Sequence, residues 1–488
     1  MEDLTRRGFV GAAGSMGVAM AGSVALGARA AHADEASAGN GGTAGAAPAE
    51  AAELTGWTGT PDEIAASGGS TMPLAELNRR HREYVDAHSE YTCADGAVIP
   101  SPFVRMHALI QTYGFGGFGN VEDDRSFDYL MAIFSEDDAK AYVDEIPWGV
   151  TFTAYDMYAK GGRPLEECAE LLERFSREGF LERHSNPNGA NYNQIPLVVG
   201  ILEFQMDKEY DDPEMNIVEM SIDKVQMVQD FHIAGTPAEY TVPCHKSVVA
   251  DEGILPYDDA EQIIRTKDKF AIAPCYCRYT RMIAAGEKPP SFEEFATGEL
   301  EDYFSPMFNQ RMETCLLFGD AADYWIWRGL AREIMMEDAL RYLQRSVDDG
   351  FIIQSLFDTD TENFCSCHAD SCKLFLQWNA FQDPAKTAAS PTFQQVSHYD
   401  LVVDLDKCIQ CGACVERCPL HAIEMGEDGY PVVNEMCFRC GQCGYVCPAE
   451  ARKLTARPEE LNCPLPKTLL DDHNLKAAYR FEHGLLDG

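Results

Sequence analysis

Between residues 165 and 175 the apolar side chains fall at Leu165, Cys168, Leu171, Leu172 and Phe175. That i, i+3, i+4 rhythm puts them on one face and predicts an amphipathic helix. Ahead of it, "SEDDAKAYVDEIPWGVTFTAYDMYAKGG" (135–162) reads as helix and turn. Beyond it, Phe180 and Leu181 begin a strand, "NPNG" turns the chain, and "YNQIPLVV" (192–199) returns. Helix, turn, helix and ribbon give a winged-helix outline over 121–245. Further on, "METCLLFGDAADYWIWRGLAREIMMEDALRYLQRSVDDGF" (312–351) carries Cys315 at the head of an apolar helix, where the helix dipole would favour a thiolate. Toward the C-terminus "LVVDL" (401–405) predicts a strand, and residues 422–433 a hairpin around a Gly-Asp turn.

The first 72 residues carry a different pattern. Arg6 and Arg7 precede 21 uncharged residues, twelve of them Gly or Ala, and "AHA" (31–33) supplies a small-x-small cleavage site. This looks like a twin-arginine export signal, and it implies a location on the outer side of the cytoplasmic membrane or in a periplasm. That pathway carries folded proteins, often with cofactors already inserted. Six glycines make the uncharged run a poor membrane anchor, although its length nearly suffices to span a bilayer. Residues 34–72 are Ala/Gly-rich without hydrophobic period and read as a tether. No later apolar run is long enough to span a membrane, so no transmembrane helix is expected in the mature chain.

Charge removes one class of partner. Asp and Glu number 79 against 39 Lys and Arg, a formal −40 over 488 residues. Such a surface repels nucleic acid and suits a basic partner or plain solubility. Across 160–184 five basic residues face six acidic ones, so the winged-helix outline offers no recognition face for DNA and reads as a packing or docking module.

The eighteen cysteines are unevenly spread: none before Cys93, eight between Cys408 and Cys447. Those eight form two copies of C-x2-C-x2-C-x3-C-P offset by 29 residues. In this spacing three thiolates of one copy bind one cube and the fourth reaches the other cluster. One [4Fe–4S] cluster is therefore expected on Cys408, Cys411, Cys414 and Cys447, and a second on Cys437, Cys440, Cys443 and Cys418. Zinc is the remote alternative. The segment resembles the bacterial two-cluster ferredoxin, a βαββαβ unit.

Six more cysteines stand in the middle: Cys275 and Cys277 in "CYCR", Cys315, and Cys365, Cys367 and Cys372 in "FCSCHADSC". In extended chain each C-x-C pair projects from one face as a two-toothed clamp. Six thiols exceed the four that a third iron–sulfur cluster needs, and Arg278 beside the first pair would offset cluster charge. Structural zinc, on four cysteines or on three with His368, and disulfides in an oxidising compartment remain alternatives. Cys168 is expected in the core.

The words "LEFQM", "CYCR", "CLLFGDAADY" and "FCSC", in this order before the doubled motif, resemble a family of anaerobes' [4Fe–4S] ferredoxin-type proteins with a winged-helix front and a central cysteine domain. The resemblance runs from Ser126 to Arg452 and implies architecture and electron transfer but no substrate. The expected fold class is α+β in several domains: signal 1–33, tether 34–72, helical segment 73–120, winged-helix-like domain 121–245, mixed central cysteine domain 246–395, ferredoxin-like module 396–456 and tail 457–488. The expected role is an exported electron-transfer component of an anaerobic oxidoreductase, partnered by a membrane cytochrome, a quinone-linked oxidoreductase or an exported reductase. A catalytic reductase of the corrinoid dehalogenase type and a redox-sensing binding module are the rivals. Isolated segments such as "VPCHKS" (242–247) and "YGFGGFGN" (113–120) carry no catalytic or nucleotide-binding fingerprint.

Overall fold

A computed structural model describes residues 72–113, 124–216, 237, 239–249, 258–375, 396–458 and 461–486. The twin-arginine segment, the tether before Met72, most of the Gly/Phe run and residues 376–395 lie outside the described residues. No helix among the described residues is long and apolar enough to cross a membrane. The chain mixes helix and sheet, as an α+β reading requires.

The N-terminal half is helical: α1 (Leu74–Ala87), α2 (Ser101–Thr112), α3 (Asp124–Ile133), α4 (Glu136–Asp144), α5 (Ala154–Lys160) and α6 (Leu165–Arg177). Side-chain caps start α4 and α5: Ser135 and Thr153 accept from the amides of Asp138 and Asp156. On α6 the residues Cys168, Leu171, Leu172 and Phe175 are buried, as the periodicity predicts. Strands β1 (Leu181–Asn186) and β2 (Gly189–Gln194) pair antiparallel behind it. The returning strand is shorter than expected. Pro196 stops the ladder, and Leu197–Ile201 winds into a π-helix that continues helically through Leu202–Phe204.

The middle of the chain builds a six-stranded antiparallel sheet. Its strands are β3 (Glu239–Val242), β4 (Phe270–Pro274), β7 (Glu313–Phe318), β8 (Arg332–Glu333), β9 (Ile352–Leu356) and β10 (Asn363–Cys367), in the order β3-β9-β10-β7-β4-β8. A small ribbon, β5 (Phe304–Ser305) with β6 (Gln310–Arg311), stands apart. Pleating sends alternate residues to opposite faces. Ile272, Leu316, Ile353 and Phe364 enter one apolar cluster with Tyr342 and Leu343 of a covering helix. Ala273, Cys315, Cys365 and Cys367 enter the other, which is continuous with the N-terminal helices. The helices of this region are α7 (Ala260–Thr266), α8 (Tyr276–Ala284), α9 (Gly319–Arg328) and α10 (Met336–Asp348).

The C-terminal cysteine repeat holds β11 (Tyr399–Val403), α11 (Ala413–Arg417), the hairpin β12 (Ile423–Met425) and β13 (Pro431–Val433), α12 (Gln442–Tyr445) and β14 (Arg452–Ala456). β11 closes on β14 and β12 on β13. The segment read as a tail is instead anchored: α13 (Leu469–His483) is largely buried, and Asn474 donates to the Gly149 carbonyl at 2.9 Å. Thr468 starts it with a capping box on Asp471.

Two substitutions separate these contributions. Phe364→Ala empties a fully buried ring site and should cost about 3–5 kcal/mol. Thr468→Ala removes one cap and should cost about 1 kcal/mol. Chemical-denaturation midpoints of the two variants check the ranking.

Candidate metal centres

The 29-residue repeat is written into the backbone as well as the sequence. Five non-glycine residues among those described have positive φ, and four of them are repeat mates: Gln410 and Arg439 at 56° and 54°, His421 and Glu450 at 55° and 49°. Gly412 and Gly441 match likewise at 76° and 83°. Left-handed turns of this kind aim successive amides inward. The consequence is visible at sulfur: Ala422 and Ala451, again 29 apart, each donate an amide hydrogen to the Sγ of Cys418 and Cys447 at 3.2 Å. A donated amide favours the thiolate over the thiol.

These turns gather the eight thiols into two groups. Cys408, Cys411, Cys414 and Cys447 line one space. Cys418, Cys437, Cys440 and Cys443 line a second. Arg452 reaches the first space from the core; its Nη2 donates to the Pro431 carbonyl at 2.9 Å and its buried Nη1 has no partner. Burial pushes the Cys414 thiol up while the Arg452 charge draws it back. Burial pushes Cys443 up to about 12.

The sheet builds a third site, a chamber that all six central cysteines line, with Glu239, Arg278, Thr314, Ser366 and Ser371. Strand register explains the convergence. Cys315 pairs with Ala273 across β7 and β4, and Cys275 follows Ala273 by two, past a register shift at Ala273–Pro274. Cys365 and Cys367 on β10 pair with Gln354 and Ile352 of β9. Cys372 precedes a single helical turn at 373–375. Burial pushes the thiols of Cys277, Cys315 and Cys372 up, and Glu239, also through burial, up to about 8.

Two expectations about this site need correction. Cys315 is not at a helix head but inside β7; the helix starts only at Gly319. Strand partners on both sides outweigh the local helical pattern there. Nor is "CYCR" an extended clamp. Pro274 ends β4, Cys275 is the helix N-cap, and Cys277 sits in the first turn of α8. The pair still faces one chamber because the chain turns between the two thiols. His368 does not line the chamber; it lies against Asp370, with Nδ1 to Oδ2 at 3.4 Å. No disulfide joins any of the eighteen cysteines.

Arg278 is the electrostatic centre of this arrangement. It is fully buried, and every partner is neutral: Gln310 at 3.0 Å, Ser371 at 3.3 Å, the Arg311 carbonyl at 2.9 Å, Thr314 at 2.7 Å and the Ser366 carbonyl at 2.9 Å. The Phe351 ring packs 4.5 Å from its guanidinium carbon. Among the described residues it makes no ion pair. A buried cation without a counter-charge costs several kcal/mol, so a chamber of neutral thiols leaves it unanswered and an anionic occupant answers it.

The chamber is joined to the second cysteine group by a short connection. The Ala369 amide, two residues past Cys367, donates to the carbonyl of Pro419 at 2.9 Å, and Pro419 follows Cys418. Phe375 meets Phe438 edge-on at 4.9 Å beside it. Cys244, unassigned from sequence, donates its amide to the Cys440 carbonyl at 3.0 Å. Ser247 seats against Gly441, donating to its carbonyl at 2.6 Å, and a Cβ on Gly441 would stand 2.9 Å from the Ser247 Cβ.

Sequence reasoning passed over Glu239. The one signal was an acid heading an apolar strand between prolines, "PAEYTVP" (237–243).

Comparison with known proteins places residues 393–452 in the family of 4Fe-4S dicluster domains. No curated protein and no solved structure matches the chain. The matched segment contains all eight cysteines of the repeat, so this is an iron–sulfur protein of ferredoxin type with an electron-transfer role.

Proposed function

We propose that the chain is an exported electron-transfer protein with three iron–sulfur centres, two in the C-terminal repeat and one in the central chamber. The observation that carries the third is the chamber itself: six buried thiols around a buried guanidinium that makes no ion pair among the described residues. Four thiolates suffice for a cube, so the donor set fits with thiols to spare. Zinc would also accept four thiolates, and the iron and sulfide content below separates the two. When bound, such clusters supply reversible one-electron chemistry.

The residues of the chain order the three sites. Cys411 is exposed and Cys408 half-buried, whereas the six central cysteines are all buried. Large apolar side chains stand in water around the first group: Ile409 at 64%, Leu405 at 51% and Val432 at 50% exposure. Exposed apolar residues on an otherwise strongly acidic chain suit a docking partner with an apolar patch and a basic rim. That face is the entry side of this reading, and the partner is a membrane cytochrome, a quinone-linked oxidoreductase or an exported reductase. The Ala369–Pro419 hydrogen bond keeps the second group and the chamber in fixed contact. The helix-turn-helix and ribbon of α5, α6, β1 and β2 serve as a winged-helix-like packing module. Residues 1–33 direct twin-arginine export with the centres already assembled.

Anaerobically purified protein should contain about twelve irons per chain and matching acid-labile sulfide. Cys367→Ala should lower the count toward about eight, leaving the ferredoxin-type signal intact in EPR of the reduced protein. A wild-type count of about eight removes the third centre.

Removing the buried cation should shift one potential only. Arg278→Gln should lower the third centre's reduction potential by on the order of 2 kcal/mol, roughly 90 mV for one electron. Arg278→Lys should restore most of it. An EPR-monitored redox titration reads both.

A further inference from the structure

Glu239 is the one group in the chamber that a thiolate-ligated cube does not explain. Register puts it on the cysteine face: Gln354 pairs with Cys365 on one side and with Thr241 on the other, and Glu239 precedes Thr241 by two. Its side chain is buried, 2% exposed. Oε1 lies 3.4 Å from the Cys365 Sγ, and the buried Oε2 has no hydrogen-bond partner. No ion pair holds it among the described residues, because the donors of Arg278 are taken by neutral acceptors. Only Oε1 accepts a hydrogen bond, from the Cys365 thiol; a carboxyl kept only for structure would have both oxygens satisfied, or be replaced by an apolar residue like its strand neighbours Tyr240 and Val242.

Its geometry has a positive reading. One donor atom each from Glu239, Cys365 and Cys367 lies within 4.8 Å of the others, all three residues buried. Donors so grouped are candidate ligands of one metal centre.

We propose that Glu239 is a metal ligand, binding iron beside Cys365 and Cys367, so that the central centre has mixed thiolate and carboxylate ligation. This rests on the reading that the chamber holds an iron–sulfur centre. A hard oxygen donor among soft thiolates makes one iron unlike the rest and sets this centre apart from the two all-thiolate sites of the repeat. With more thiols lining the chamber than a cube uses, the oxygen corner is a choice of ligand and not a shortage of sulfur.

The test compares wild type, Glu239→Gln and Glu239→Cys as full-length protein, isotopically enriched in Mössbauer-active iron and purified anaerobically. Wild type is expected to show a minority iron with the larger isomer shift of oxygen ligation. Glu239→Gln should lose that component, alone or with the rest of the third centre, while the iron of the repeat stays. Glu239→Cys should recover the iron content with an all-thiolate spectrum, a rescue that a merely structural glutamate would not produce. A third centre present in Glu239→Gln with an unchanged spectrum overturns the ligand assignment and leaves the three-centre reading standing. A wild-type protein with only about eight irons overturns that reading and this one with it.

Discussion

Arg278 is a full positive charge sealed in the core, and the central half of the molecule is organised around it. Its guanidinium ties the β6–β7 region, through Arg311 and Thr314, to β10, through the Ser366 carbonyl. Those are the elements that carry or flank Cys315, Cys365 and Cys367. The cation therefore holds the walls of the chamber in place and supplies the charge that the chamber's contents must balance. Hydrogen bonds to neutral groups satisfy its donors but leave its monopole. Arg452 repeats the solution beside Cys414, with an orphaned Nη1 where Arg278 has an orphaned charge. Two buried arginines thus stand beside two sets of thiols in a chain of formal charge −40.

Local sequence carried the repeat because its information is local. Spacing within 29 residues sets which thiols share a turn, and the left-handed positions at Gln410, Arg439, His421 and Glu450 follow the same count. The amphipathic face of α6 was legible for a similar reason, since one periodicity within one helix decides it. The place of Cys315 was not. "ETCLLF" is apolar on both sides and continues into a helical pattern, so periodicity cannot separate a two-faced buried strand from a buried helix. Pairing with β4 and β10, about forty residues away on either side, decides it.

Glu239 illustrates a harder limit. Its meaning depends on Cys365, 126 positions later in the chain, and on a register shared through β9. No window of sequence contains that relation. The convergence of the six cysteines was foreseeable from number and spacing, but the chamber's carboxylate was not, because one acid on a strand has no signature. The burial of α13 belongs to the same class, since Asn474 meets the Gly149 carbonyl across 325 positions.

The seam between the repeat and the central sheet gives the architecture its direction. Among the described residues four backbone hydrogen bonds cross it, from Thr241 to Val396, from Cys244 to Cys440, from Val249 to Leu454 and from Ala369 to Pro419. Two of the four involve a cysteine of the second group or its immediate neighbour. Backbone bonds at a seam resist relative motion better than side-chain contacts, since no rotamer can release them. Among the described residues the first group has no such backbone anchoring, and it keeps Cys411 in water. On the proposed reading, the exposed, partly apolar face beside the first group is where a partner exchanges electrons, and the buried seam beside the second fixes spacing. On the same reading the central site, lined by six buried thiols, receives electrons through the protein and not from solution.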